Sequence, residues 1–424
     1  MPSTQCPVPR AHAFVLGTGH GALGTPKDEC RVPSTQCLVP HTHAFVLGTG
    51  HWARGTPKIM SRKLTYDTWL FAAALLLIVI GLVMIYSASA IITAQKTGSD
   101  NPYYFITRQC MWLLTGSALM LMLMHVDLAR LRDRRVIYGV MALVLIALIA
   151  ALFAPAINGT HRWVALPHIR FQPSEFAKPV IVLFLASFLS RREERINEVT
   201  STLLPMSCVL ALFAGAILIE PDFGTAITVV LVAAAMVFAA GIRWNRIAMF
   251  ILMLIPAAIL ALLSAAYRRD RLLTFLNPEA DPRGKGFQAM QSLIAVGTGG
   301  LRGLGIGNGR QKLFFLPEPH TDFIFSIVGE ELGFVGCLAI IALFAFLIWR
   351  GFRITQYSQE RFNFYAALGL TLMIGIQALI NMSVALCLVP TKGLPLPLVS
   401  YGGSSLIASL MAVGLLLNLS QQSG

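Results

Sequence analysis

The chain has 424 residues, 56% of them hydrophobic and only 12% charged, with a formal charge of +13 and a mean hydropathy of +0.69. That balance excludes an ordinary soluble domain and describes a protein that crosses a membrane many times, its charge confined to loops. It also argues against nucleic acid as a partner, because a basic binding face needs a soluble domain to carry it.

Residues 1–59 stand apart. Ser3–Lys27 recurs as Ser34–Lys58, identical at 20 of 25 positions. Two copies fall short of the roughly three needed for a stacked solenoid. The segment shows no helical or strand period and no signal-peptide apolar core. Cys37, His41 and His43 lack a second ligand pair to complete a metal site. Residues 1–59 are expected to be a disordered, dispensable extension. Met60, followed by Ser61-Arg62-Lys63, reads as a natural start for a membrane domain over 60–424. Cys110, Cys208, Cys337 and Cys387 lie in or beside apolar runs and are expected to act as packing groups.

Ten apolar stretches follow, at 68–93, 108–125, 136–154, 175–190, 203–219, 224–241, 246–266, 323–349, 364–388 and 398–419. Most approach the ~20 residues that cross the hydrocarbon layer. All should be helices, since lipid cannot satisfy open backbone groups. The predicted fold is therefore an all-α polytopic membrane protein of about ten transmembrane helices. Arg62 and Lys63, Arg130 to Arg135, Arg191 to Arg195, Arg243 and Arg246, and Arg350 to Arg361 all fall between alternate stretches. The positive-inside rule then makes both termini cytoplasmic. Loops 94–107, 155–174, 220–223, 267–322 and 389–397 become external.

The loop 267–322, between helices 7 and 8, is long for a connection without structure of its own. It carries Arg268, Arg269, Arg271, Arg283, Lys285, Arg302, Arg310 and Lys312. Cations outside the membrane suit a phosphate-bearing ligand. Its glycines have no strand-to-helix frame and no nucleotide-binding spacing.

Other external loop ends carry groups that are costly near lipid. Arg162 lies in NGTHRWV. In QPSEFAKP, Ser174 is placed to cap a helix, Glu175 and Lys178 are three apart and able to pair, and Pro179 should kink the span. Glu220 and Asp222 share a tight turn, where turn and cap chemistry is the plain reading. Lys392 sits in PTKGLPLP. Asp322, at the end of the long loop, is either a helix cap or a group doing chemistry at the membrane surface. Glu330 and Glu331 follow about 12 Å farther along the same helix and must face protein or water. Together Arg162, Glu175, Lys178, Asp222, Asp322 and Lys392 are expected to line an outward-facing cavity.

The segments GTHRW, QPSEFAK, EPDFGTA, GNGRQKLFFLPEPHTDF and PTKGLPLPLVSYGGSS stand in this order. They resemble the SEDS family of bacterial shape, elongation and division proteins, its division branch more than its elongation branch. The resemblance covers about Leu64 to Ser420. It implies a ten-helix peptidoglycan glycosyltransferase that polymerises lipid II in the bacterial inner membrane at the division septum. It implies a class B penicillin-binding protein transpeptidase and other division proteins as partners. Within that frame Asp322 is the catalytic residue, and Arg162, Glu175, Lys178 and Lys392 are substrate-binding residues. Such a reaction needs one carboxylate to take a proton from the acceptor hydroxyl, and cations to hold the departing diphosphate. No cofactor is implied. A divalent cation at the diphosphate is compatible with the chemistry, although no ligand cluster specifies one. A flippase for the lipid-linked precursor and a non-catalytic division scaffold are the alternatives.

Overall fold

A computed structural model describes residues 66–96, 103–155, 160–165, 170–243, 245–246, 275, 286–313, 320–390 and 393–422. The repeat extension 1–59, residues 247–266 of the apolar stretch 246–266 and Lys392 lie outside them. The described chain forms α1 (Thr68–Lys96), α2 (Tyr104–His125), the short α3 (Leu128–Arg132), α4 (Arg134–Phe153) and α5 (Pro173–Ser190). It continues through α6 (Leu204–Ile219) and α7 (Phe223–Ala239) to α8 (Phe287–Gly299), α9 (Ile324–Tyr357), α10 (Arg361–Ala385) and α11 (Gly403–Ser420). Strands β1 (Val164–Ala165) and β2 (Arg170–Phe171) pair antiparallel between α4 and α5.

The protein is an all-α polytopic membrane protein. Eight described helices are long and apolar enough to cross a membrane, and Phe223–Ala239 is a shorter apolar one. These match nine of the ten expected stretches; the other is 246–266. The centre of the bundle is α5, α10 and α11, whose most apolar stretches are 78%, 72% and 89% buried. The corresponding values for α2 and α4 are 22% and 28%, so these turn most of their apolar surface outward. Outward apolar side chains such as Leu114 and Leu143 suit a lipid environment, which satisfies side chains but not open backbone.

The two ends of the bundle differ in chemistry. At one end Arg350 pairs with Asp67 at 2.6 Å, Arg132 with Glu360 at 3.1 Å and Arg361 with Glu193. The starts of α5, α7, α9 and α11 gather at the other. One helix start also corrects a local expectation. Gln172 is the N-cap of α5 without a side-chain cap bond, and Ser174 instead donates to Asp222 Oδ2 at 3.1 Å. Helix α5 continues through Pro179. The proline removes only the N–H that would reach the Glu175 carbonyl, a loss that packing by neighbouring helices tolerates.

The segment after the seventh stretch is not a plain loop. Helix α8 leads into a chain, 300–313, that docks against an interruption in α9. Gly333 has φ +68 and ψ −164, so the helical ladder breaks there. The carbonyls of Glu330 and Glu331 then accept from Leu304 N at 3.0 Å and Gly305 N at 2.9 Å. Across the break, Phe334 N donates to Gly300 O at 2.9 Å and Val335 N to Leu301 O at 3.3 Å. The approach is close enough to require glycine on both sides. A Cβ on Gly303 would lie 2.2 Å from the Glu331 carbonyl oxygen, and one on Gly333 would lie 2.3 Å from Gly303 N.

The side chains add to this exchange. Glu330 Oε1 accepts from the backbone of Arg310 at 2.6 Å and Gln311 at 3.1 Å. Lys312 Nζ lies 2.6 Å from Glu331 Oε1 and 3.1 Å from Ser87 Oγ of α1. Lys312 is 1% exposed. It is therefore an internal counter-ion, not one of the free loop cations expected to meet a phosphate; Arg302 and Arg310 remain exposed. From Phe334 to Tyr357, α9 is already about 36 Å long, enough to span the hydrocarbon by itself. The glutamates before the break therefore need not sit deep in lipid. Removing one partner of a buried ion pair costs ~3–5 kcal/mol, while replacing both by apolar groups is often neutral. Lys312→Met is thus expected to lower the thermal unfolding midpoint in detergent sharply. Adding Glu331→Leu should recover most of the loss; no recovery would mean that the charge pairing is not what Lys312 contributes.

Candidate active site

The β1–β2 ribbon places two groups at the α6–α7 turn. Arg162, just before β1, donates through Nε to Glu220 O at 3.1 Å and through Nη2 to Pro221 O. Gln172, just after β2, donates through Nε2 to Asp222 Oδ2 at 3.0 Å and through its backbone N–H to Ser404 Oγ of α11 at 3.0 Å. Asp222 is the N-cap of α7, accepting from Thr225 N at 3.2 Å and from Thr225 Oγ1 at 2.8 Å. With Ser174 and Gln172 also bound, its carboxylate is saturated, so the cap reading holds for Asp222.

Glu220, in the same turn, is fully buried, and neither carboxyl oxygen has a hydrogen-bond partner. Burial, reinforced by the neighbouring Asp222 charge and opposed by Arg162, pushes its carboxyl up to about 8. At neutral pH it holds its proton.

The second half of the site is carried by α5 and α10. Lys178 Nζ is 2.8 Å from Glu175 Oε2, the expected pair, and 2.6 Å from Gln377 Oε1 on α10. Both members of the pair are 2% exposed. Two of the three ammonium donors are thus committed inside the bundle, leaving one. Gln377 Nε2 donates onward to Pro395 O at 2.9 Å. One helical turn along, Asn381 Nδ2 donates to Leu394 O at 2.7 Å and to Asp322 O at 2.9 Å. The spacing of four residues puts Gln377 and Asn381 on one face of α10, and that face holds both the 393–395 chain and Asp322.

Asp322 is half-buried, directly before α9. The N-cap position itself is Phe323, without a side-chain cap bond, so Asp322 is not the cap. A Cβ added to Gly393 would come within 3.3 Å of Asp322 Oδ2; the glycine leaves room beside the carboxylate. His320 packs its ring against Phe105 and Tyr401, with centroids 4.5 and 5.4 Å away, and its carbonyl accepts from Tyr401 N at 2.9 Å. The chain entering Asp322 is thereby pinned to α2 and to the start of α11.

The structure brings Glu175, Lys178 and Asp322 into one connected polar network through Gln377, Asn381 and the 393–395 chain. Arg162 and Asp222 form a neighbouring cluster on the α6–α7 turn, joined to the start of α5. Lys392 is outside the described residues. Gln377 and Asn381 were missed from sequence, although amides four apart in an apolar span are a readable signal. Among the described residues no three His, Cys, Asp or Glu side chains come together as a metal site.

A polytopic helical membrane protein with a charged, amide-linked site at one end of its bundle is the class this architecture defines. Residues 67–424 match the cell cycle protein family of FtsW, RodA and SpoVE. The chain is 40% identical over 357 residues to a probable peptidoglycan glycosyltransferase FtsW from Geobacter metallireducens, covering 84% of this chain and 94% of that protein. It is 40% identical over 368 residues to stage V sporulation protein E of Bacillus subtilis, covering 86% and 99%. Among solved structures, a chain from a peptidoglycan synthase complex coordinating polymerization and crosslinking superposes with a TM-score of 0.69 at 31% identity, covering 84% of this chain and 98% of that one. The rod shape determining protein RodA of Thermus thermophilus gives 0.62 at 28% identity, with 85% and 98% covered. The chain belongs to the FtsW, RodA and SpoVE family.

The buried carboxyl makes a pH prediction. The folded value of about 8 lies above the ordinary 4.5. Stability linked to Glu220 is therefore full below about pH 4.5 and is lost progressively as pH rises to about 8. Glu220→Gln, a neutral isostere, is expected to unfold at a higher temperature than the parent protein at pH 8 and at the same temperature near pH 4.5. Equal midpoints at both pH values would contradict a buried neutral carboxyl.

Proposed function

We propose that this protein is a peptidoglycan glycosyltransferase that polymerises lipid II into glycan strands during septal wall synthesis. The observation that carries the proposal is the placement of Asp322. Its carboxylate stands at the head of a membrane helix, its main chain is held by Asn381, and Gly393 leaves space beside Oδ2. The names of the FtsW relatives support the same reading.

In this reading Asp322 is the general base. It takes the proton of the acceptor sugar hydroxyl as that oxygen attacks the anomeric carbon of a polyprenyl-diphosphate sugar, a contribution typically of ~10²–10⁴-fold. The diphosphate leaves without a proton donor if cations stabilise it. Arg162, the remaining donor of Lys178, and Lys392 are the residues assigned to it, with Glu175 orienting Lys178. A divalent cation at the diphosphate is compatible with this chemistry. The positive-inside rule puts both termini in the cytoplasm and the site outside. A class B penicillin-binding protein transpeptidase is the proposed partner, supported by the likeness to a chain from a peptidoglycan synthase complex.

Purified protein given lipid II, with its transpeptidase partner, tests the reading directly. Asp322→Asn should lose polymer formation by ~10² or more while keeping its thermal midpoint. Polymerisation equal to that of the unaltered protein would remove Asp322 as the base. Transport of lipid II across a liposome without polymer would favour a flippase. Gly393→Ala provides a finer test. A methyl crowding Oδ2 should lower the rate of polymerisation several-fold with little change in stability, since small misplacements of a reacting group cost large factors. An unchanged rate would show that the Asp322 carboxylate does not work in that space.

A further inference from the structure

At the opposite end of α5 from the Glu175–Lys178 pair, an open cleft of about 390 Å³, mouth included, lies between the start of α4 and the end of α5. Three arginines line it: Arg134 from α4, and Arg191 and Arg192 after α5. Ile137, Phe184 and Phe188 supply apolar wall. Lys178 is about 20 Å away along α5 at 1.5 Å per residue, so the cleft is separate from the candidate active site.

Among the described residues none of the three arginines has a carboxylate partner. Asp133 caps α4 by accepting from Arg135 N at 3.1 Å, Glu360 holds Arg132 and Glu193 holds Arg361, while the exposed Glu194 forms no ion pair among the described residues. Arg191 donates to the carbonyl oxygen of Arg132, its one hydrogen-bond partner among the described residues. The Arg192 guanidinium lies 4.1 Å over the Phe188 ring, and its Nη1 is buried with no hydrogen-bond partner. Burial first, then the charges of Arg134 and Arg132, press Arg191 below its usual range, against the weaker pull of Asp133 and Tyr138. A guanidinium remains charged in a protein regardless, so the repulsion persists until an anion relieves it.

The geometry of the cleft selects among anions. Guanidinium forks match phosphate oxygens, and basic pockets between transmembrane helices recur as headgroup sites. The walls favour an anion with a tail. On the Arg134 face of α4, four and fifteen residues farther along, Tyr138 and Ile149 are turned outward at 51% and 46% exposure, an apolar track that starts at the cleft wall. A free phosphate would leave that track unused. We propose that this cleft binds the phosphate headgroup of an anionic glycerophospholipid, its three arginines holding the phosphate while an acyl chain lies along α4.

The test uses the full chain in nanodiscs of phosphatidylcholine with or without phosphatidylglycerol. Two readouts apply: lipid retained on extraction, by native mass spectrometry, and the thermal midpoint. Phosphatidylglycerol should be retained preferentially and raise the midpoint. Arg191→Gln/Arg192→Gln should lower that retention about tenfold. Its midpoint in phosphatidylcholine alone should match or exceed that of the unaltered protein, because like charges have been removed. Arg134→Gln, at a side chain with no ion pair among the described residues, should weaken retention in the same direction and guards against misfolding of the double variant. Equal retention of the two lipids, or undiminished phosphatidylglycerol on both variants, overturns the site. A midpoint raised as far by inorganic phosphate in phosphatidylcholine discs overturns the lipid as its ligand.

Discussion

The exchange of backbone hydrogen bonds across the break in α9 is the constraint on which the described structure most depends. A helix interrupted in a membrane domain leaves carbonyls and N–H groups that lipid cannot satisfy. Here the carbonyls of Glu330 and Glu331 and the N–H groups of Phe334 and Val335 are all met by the 300–305 chain. The glutamate side chains then fasten 310–312, and Lys312 carries the attachment to Ser87 on α1. The extramembrane chain is therefore part of the helical domain, and the head of α9, with Asp322 directly before it, is held from two sides.

The other side is α10. Polar side chains in a membrane helix are expensive unless they find partners, and Gln377 and Asn381 find theirs in the 394–395 chain and at Asp322. Gln377 connects the buried Lys178–Glu175 pair to Pro395, and Asn381 connects Leu394 to Asp322. Two amides on one helix face thus coordinate three segments distant in sequence. A buried ion pair adds little stability by itself. Its contribution here is geometric, because it fixes the side chain that fixes the loop.

The two ends of the bundle divide the chemistry. One end gathers carboxylates, amides and the irregular 393–402 chain around Asp322. The other gathers arginines, some paired with Asp67, Glu193 and Glu360 and three left facing the α4–α5 cleft. Helix α5 connects them, with Glu175 and Lys178 near its start and Arg191 just beyond its end.

Much of this was legible in the amino-acid order. Apolar runs of membrane-spanning length can only be helices in lipid, and nine of them are described where they were expected. Glu175 and Lys178, three apart, could hardly avoid pairing on one helix face. Motifs around Arg162, Asp222 and Asp322 pointed to one end of the bundle. What the order of residues left open is what depends on partners far along the chain. Lys312 read as a free loop cation because nothing local reveals Glu331 lying against it. Asp322 read equally as a helix cap until Phe323 took that position. Gly333 and Gly303 read as two unrelated glycines, and only their packing shows that neither has room for a side chain. By itself the sequence determined the helices, their order and the candidate charges, because these follow from local composition and the cost of exposing backbone to lipid. The tertiary structure decided which charges are neutralised inside the protein and which remain for a ligand, because burial and pairing exist only once distant segments meet.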